Sequence, residues 1–285
     1  MKFHNAKAEV FVPDGVAVEA ALKRTTHLGI GAHQDDLEIM AFHGILQCFD
    51  RSDRWFTGVT CTNGAGSPRA GIYEKYTDTE MQEVRRVEQN NAAVIGQYSA
   101  MAQLDYASAI VKNPGDSRLK EDLLQILKAT RPKVVYTHNP ADKHDTHVAI
   151  LGSVIPALRE LPPDRRPAHV YGCETWRDLD WLPDADKVLL DVSGRDPMAA
   201  ALLAVFDSQI AGGKRYDLAA IARRTANATF FQSHATDTIT QLTFAMDLTP
   251  LIREKTMDAA GYVGGLIDKF KTEVCAKLQS RLPDK

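Results

Sequence analysis

The stretch HLGIGAHQDDLEIMAFHGILQCF, residues 27–49, restricts what this chain can fold into more than any other. Leu28, Gly29, Ile30 and Gly31 form a short apolar run bounded by polar residues, which suits the middle of a covered parallel sheet. Leu37, Met40, Ala41, Gly44, Ile45 and Cys48 then recur at steps of three and four, the period of a helix with one apolar face. The turn between them is therefore a strand-to-helix junction. In open α/β sheets ligands collect at the carboxyl ends of the strands, and this junction holds His33, Asp35, Asp36 and Glu38 within six residues.

His33 and Asp36 are three apart, so on a turn entering a helix their side chains can converge on one point. An imidazole nitrogen with a carboxylate oxygen suits zinc, whose catalytic sites keep three protein ligands and one open position. Asp35, between them, points elsewhere and sits close enough to take a proton from a water at such a site. These six residues also fit a plainer reading, in which Asp35 and Asp36 cap the following helix and His33 is a hydrogen-bonded loop residue.

A second cluster bears on that choice. Residues 133–137, KVVYT, read as a strand, and HNPADKHDTHVAILGSVIPAL follows directly at 138–158. Val148, Leu151, Ile155 and Leu158 mark one apolar helical face, with His144 and His147 three apart at the start of the same helix. Three of the nine histidines fall within ten residues here, again at a strand end. A helix N-terminus disfavours imidazolium and keeps a histidine available as a ligand.

Elsewhere the chain alternates strands with helices. Val10, Phe11 and Val12 suggest an edge strand or packing arm, residues 55–61 a second strand, and 78–95 and 116–130 helices. Between them, TNGAGSPRAGIYEKY at 62–76 is a loop in which Gly64 could let a ligand approach the backbone and Arg69 could reach an anionic or hydroxyl-rich one. Beyond residue 160, strands are expected at 168–174 and 187–192, helices at 197–206, 216–226 and 255–278, and no further chemistry is evident. Phe230, Phe231, Ser233 and His234 could wall a pocket, although an aromatic pair after a helix is more often core. The pattern predicts one α/β domain over residues 1–285, a Rossmann-like, doubly wound, mostly parallel sheet with helices on both faces.

Composition closes off other classes. A net charge of −3 leaves no electrostatic footprint for nucleic acid, and no run approaches the length of a membrane span. Cys48, Cys61, Cys173 and Cys275 are scattered without a CxxC pair and read as free thiols. No signal-peptide pattern opens the sequence, so a cytoplasmic protein is expected, with a homo-oligomer possible.

With both clusters in view, the sequence resembles the PIG-L type (LmbE-like) family of metal-dependent N-acetylglucosaminyl deacetylases. The family's AHPDD motif stands here as Ala32-His33-Gln34-Asp35-Asp36, and its HPDH-like motif as His144-Asp145-Thr146-His147. The likeness spans roughly residues 25–160, with Arg85 and Glu88 loosely fitting a weaker family helix. It implies that His33, Asp36 and His147 bind zinc or a similar divalent transition metal, that Asp35 is the general base, and that His144 stabilises the tetrahedral intermediate. Gln34 replaces the usual proline and Asp145-Thr146 replaces Pro-Asp, so the carboxylate orienting His147 would have to come from Asp142. The implied activity is hydrolysis of an N-acetyl amide on a small amino-sugar conjugate, with Gly64, Arg69, Asp142 and His234 as candidate substrate contacts. Two rival readings fit the same residues, a metal-dependent phosphoesterase and a non-catalytic sugar- or nucleotide-binding domain.

Overall fold

The computed structural model describes residues 1–282. Eight strands form one sheet: β1 (Glu9–Phe11), β2 (His27–Gly31), β3 (Phe56–Thr62), β4 (Ala100–Tyr106), β5 (Val134–His138), β6 (His169–Cys173), β7 (Lys187–Asp191) and β8 (Leu242–Asp247). Their order is β1-β4-β3-β2-β5-β6-β8-β7. The β4-β3-β2-β5-β6 block is parallel, while β1 and β8 run antiparallel to their neighbours.

Alternation along the strands separates two cores, because successive side chains of a strand point to opposite faces. Leu28, Ile30, Val59, Cys61, Val135 and Val170 join one cluster with helices Arg118–Thr130 and Asp145–Glu160. Phe56, Met101, Tyr136 and Cys173 join the other with helices Asp36–Met40, Phe42–Cys48 and Asp196–Ala204. The doubly wound sheet with helices on both faces is thus as the periodicity predicts. On the second face β2 presents glycines. A Cβ on Gly29 would lie 2.7 Å from the Phe56 ring and 2.9 Å from Leu37, so only glycine lets the helical segment after the junction press this closely on the strand.

Short helices such as Val18–Lys23 and Thr249–Arg253 lie outside the sequence expectations, and three larger differences concern the sheet and the helices beside it. The helix expected at 37–48 is two short helices, with a break at Ala41. Strand β4 has no clear sequence pattern, because Gln103 and Asp105 interrupt its apolar run. Both are buried yet hydrogen-bonded, Gln103 donating to the Arg86 carbonyl and Asn90, and Asp105 accepting from Arg86. Strand β8 is not among the strands expected beyond residue 160, and the closing helix expected from 255 begins only at Ala259.

The topology fixes where a site can form. The chain runs outward from β2 to β3 and β4, then returns to place β5 on the other side of β2. Connections therefore diverge at the carboxyl ends of β2 and β5, the switch point where such sheets open a crevice. His33 follows β2 and His138 ends β5.

Candidate metal centre

The turn after β2 is built by its own backbone. The Ala32 carbonyl accepts from Thr62 N and Oγ1, both at 2.8 Å, and Asp36 Oδ2 accepts the His33 N–H at 2.6 Å. Asp35, at the helix N-cap, has φ 94° and ψ −26°, a left-handed conformation that costs a non-glycine residue about 1–3 kcal/mol. Asp35 and Asp36 nonetheless both reach the same cleft, which His33 and His144 also line.

Donor atoms of three residues meet at its floor. His33 Nδ1 lies 3.2 Å from His147 Nε2 and 3.3 Å from Asp36 Oδ2, and His147 Nε2 lies 3.4 Å from Asp36 Oδ1. A tetrahedral ion with bonds of 2.0–2.1 Å has donor-to-donor edges of about 3.3 Å, so each pair is spaced as two corners of a zinc-sized shell, Asp36 presenting one oxygen to each histidine. Clusters able to hold a metal are found among the described residues as His33-His144-His147 and Asp36-His138-His147, which overlap on this floor. Burial is the largest influence on His147 and lowers its pKa to about 4, with Asp36 opposing; burial also lowers His144. Neutral imidazoles are the form a metal requires. Burial alone would raise the Asp36 carboxyl, but the close approach of His147 first, then His138 and His33, outweighs it and holds Asp36 well below the usual range. Asp35 moves the opposite way, raised well above the usual carboxylate value by burial first and Asp36 next, with Arg85 opposing. The two adjacent carboxylates are thereby pushed apart, Asp36 toward the anionic form and Asp35 toward a higher proton affinity.

His138 has a role that the sequence pattern does not single out. It is fully buried, stacks on His147 with ring centroids 3.8 Å apart, and lies 3.3 Å from Asp36 Oδ2. Its Nε2 accepts the Ala32 N–H at 3.0 Å, which uses the lone pair a metal would need and leaves Nδ1–H to meet Thr175 Oγ1 at 3.1 Å. His138 therefore ties β2 to β5 beneath the donor triangle. Its signals in the sequence are its place at the end of an apolar strand and its membership of the three-histidine cluster, neither of which gives its role.

Asp142 stands where the departure at Thr146 requires a carboxylate. Its Oδ2 lies 3.5 Å from His147 Nδ1, while Oδ1 accepts from His144 N at 3.0 Å and Oδ2 from Trp176 N at 3.1 Å. It is buried behind the floor, an orienting position and not a substrate contact. Gly64 does line the cleft, with φ +70° and a Cβ position that would fall 2.5 Å from Gln34 Oε1 and 2.7 Å from Arg85 Cδ. Arg69 does not line it: its guanidinium is spent on the Tyr76 and Ala65 carbonyls and the Asp78 carboxylate, bracing its own loop. His234 is exposed away from the cleft, and Phe231 packs on Phe244 as core.

The expectation that the chain beyond residue 160 carries no chemistry is corrected by the cleft's other wall. Trp176, Gln209, Tyr216 and Arg223 all line it, completing a cavity of about 560 Å³. Trp176 stacks near His144, ring centroids 5.9 Å apart, and Gln209 Nε2 donates to the Gln34 carbonyl at 2.7 Å, tying the wall to the metal turn. Behind Asp35 lies Arg85, fully buried, whose guanidinium nitrogens have no hydrogen-bond partner among the described residues. Glu88, on the same helix, accepts instead from Ser208 N and Oγ at 2.7 and 2.6 Å.

Residues 28–158 match the model of the PIG-L family, described as GlcNAc-PI de-N-acetylase. Over that segment, a little under half of its length, the chain is similar to that family. No curated protein sequence matches the chain. Among solved structures it is similar to the N,N'-diacetylchitobiose deacetylase from Pyrococcus horikoshii, at 14% identity and TM-score 0.63, covering 81% of this chain and 86% of that one. The zinc-inhibited form of the teicoplanin deacetylase Orf2 aligns at 14% identity and TM-score 0.55, over 78% and 97% of the two chains. The 4-carboxy-2-hydroxymuconate hydratase GalB from Pseudomonas putida KT2440 aligns at 17% and 0.55, over 79% and 96%. At such identities these likenesses establish the PIG-L-like α/β fold. One fold carrying both deacetylases and a hydratase also shows that the reaction must be argued from the site.

Proposed function

We propose that this chain is a metal-dependent hydrolase of the PIG-L type that removes an N-acyl group, most simply N-acetyl, from an N-acetylglucosamine-type sugar conjugate. The observation that carries the reading is the donor triangle of His33, Asp36 and His147 with the ionisable Asp35 beside it in one cleft. Zinc or a similar divalent ion, held by those three residues, would supply Lewis acidity at the amide carbonyl and acidify its water to a pKa of about 7.

The chain's own residues account for the rest. Asp35, its affinity for protons raised by burial, takes the proton of the attacking water and returns it to the departing amine. His144 lies on the cleft side of the triangle, its ring 5.0 Å from that of His33 and 4.5 Å from that of His147. There it donates to the oxygen of the former carbonyl as charge develops. Asp142 faces His147 Nδ1 at 3.5 Å, outside hydrogen-bond geometry, and its charge there favours the orientation that turns Nε2 to the donor set. Trp176 and Tyr216 offer aromatic walls to a sugar ring. The deacetylases of similar fold support this reading over phosphoester hydrolysis, which commonly draws on a second metal.

The test is acetate release by the zinc-loaded protein from a panel of N-acetylglucosaminides, run beside metal analysis. Release that is abolished by chelation and restored by zinc is expected. A metal-loaded protein that releases no acyl group from any member of the panel, or that adds water to an unsaturated acid as a hydratase does, would overturn the reading.

A further inference from the structure

The peptide bond between Gln34 and Asp35 is gripped from both edges by side chains of other elements. Its carbonyl accepts from Gln209 Nε2 at 2.7 Å, and its N–H donates to Gln89 Oε1 at 3.4 Å. Both glutamines are buried, Gln209 on helix Asp207–Ile210 and Gln89 on helix Asp78–Ile95. The orientation of each amide is fixed by its partners. A carbonyl only accepts, so Gln209 must turn its nitrogen to it. Gln89 spends its own nitrogen on Glu38 Oε1 at 2.9 Å, which leaves its oxygen for the Asp35 N–H. Glu38 is pinned in turn by the Tyr98 hydroxyl, which donates to Oε1 at 2.6 Å.

The two grips share one support. Helix Asp78–Ile95 supplies Gln89 directly, and the adjacent Glu88 accepts from Ser208 N and Oγ, which seats the short helix carrying Gln209. Gln34, without a ring to fix its own φ, is held separately by Nε2 donating to the Thr62 carbonyl at 3.1 Å. All of these contacts converge on the peptide that precedes Asp35, the residue with φ 94°. With that peptide fixed, rotation about the N–Cα bond decides where the carboxylate points. A residue other than glycine stays in the left-handed region only where its surroundings hold it there.

We propose that Gln209 and Gln89 clamp the 34–35 peptide and thereby aim the Asp35 carboxylate at the attacking water, which makes both of them positioning residues for the base. The clamp rests on the reading of Asp35 as that base. Two other roles compete for Gln209. It lines the cleft, and a plain substrate contact would act through KM. A purely architectural tie between helix and turn would instead lower stability, and any turnover, by the same factor whichever residue stands at 35.

A double-variant cycle on the zinc-loaded full chain separates these roles, using wild type, Gln209→Met, Asp35→Asn and the two changes together. Each protein is measured for acetate release from N-acetylglucosaminides, zinc content and melting temperature. Methionine keeps most of the bulk of the side chain and removes the donor. Expected in Gln209→Met is a kcat about ten- to a hundredfold lower at near-unchanged KM and zinc content, the scale of a misplaced catalytic group. Made in Asp35→Asn, the same change should cost less than about twofold, because residues that act through one another are not additive. An equal fold-loss in both backgrounds, a rise in KM with kcat kept, or an unchanged kcat overturns the proposal. Gln209→Asn, one methylene short of the carbonyl, runs the same cycle if the methionine variant does not fold. Exchange of the Asp35 amide hydrogen, followed by NMR, reads the clamp without turnover. It should quicken about tenfold or more in Gln209→Met, and an unchanged rate overturns the clamp. Near-normal turnover in Asp35→Asn, or no acetate release by wild type, sinks the reading of the base, while the exchange rate still decides whether the peptide is clamped.

Discussion

The two sides of the cleft were built under different constraints. The floor comes from two strand-to-helix turns at 31–36 and 138–147, and its donors must meet at fixed separations of 3.2–3.4 Å. Only a few spacings on a turn entering a helix satisfy that demand, so the floor is written in the sequence as two short motifs. The opposite wall comes from Trp176, Gln209, Tyr216 and Arg223, spread over nearly fifty residues and several elements. A wall has only to present area and charge, and many sequences do that. Floor substitutions are therefore expected to abolish chemistry, whereas wall substitutions, the Gln209 tie apart, shift recognition.

The largest effect is expected at His147. It is fully buried and contributes one corner of the donor triangle. His147→Ala should lose tightly held metal and reduce kcat/KM on the order of a thousandfold or more, the loss of several kcal/mol of transition-state stabilisation. Metal content and turnover on the folded variant, with folding checked by circular dichroism, measure this. A His147→Ala protein that keeps stoichiometric metal would erase the distinction between floor and wall.

Asp35 comes next. Asn keeps its shape and cannot take a proton, so Asp35→Asn should retain the metal while kcat falls about a hundredfold or more. The native carboxyl is raised by burial and by Asp36, so it is protonated more readily in the fold than in the unfolded chain. Removing its ionisation should then also remove a stability loss that appears as pH rises above the ordinary carboxylate range, because a raised acid contributes stability only while protonated. Melting temperature against pH for wild type and Asp35→Asn checks that sign. Near-normal turnover in the variant would move the base elsewhere.

That the turns bearing Asp35 and His147 come together is legible in the sequence alone, and the reason is physical. Gly29 and Gly31 in β2 and the three-residue steps from His33 to Asp36 and His144 to His147 are local requirements of a strand pressed by a helix and of a donor set. Other features have no such local signature. Strand β4 hides behind Gln103 and Asp105, whose burial is offset by partners on another element. His138 acts through a backbone N–H beyond another strand, and Arg69, attractive as a loop cation, turns inward to brace its own loop.

Asp142 tests the border between the two sides, since it belongs to the floor's support yet also holds the Trp176 N–H of the wall. Asp142→Asn preserves an acceptor and removes the charge facing His147 Nδ1. Outer carboxylates of this kind commonly contribute 10- to 100-fold in metal affinity, and a loss of about that size is expected, with the fold intact. Competition with a chelating dye gives the number. An unchanged affinity would leave Asp142 as a loop anchor and place the orientation of His147 elsewhere.

The smallest effect, and the sharpest test of what a wall is, lies at Trp176. The residue is half-buried, its ring stacked near His144 and set edge-on to Tyr216 at 6.0 Å. If the wall only binds, Trp176→Ala removes contact area that serves ground state and transition state alike. KM should then rise by about tenfold, the scale of one or two kcal/mol for an aromatic contact, with kcat little changed and metal retained. If instead the indole fixes the His144 ring for its donation to the developing oxyanion, kcat and kcat/KM fall together and KM stays near its original value. Trp176→Phe separates the two further, because phenylalanine restores an aromatic face for the sugar but a smaller surface against His144. A KM effect rescued by phenylalanine keeps floor and wall distinct; a kcat effect that phenylalanine fails to rescue makes the wall part of the chemistry.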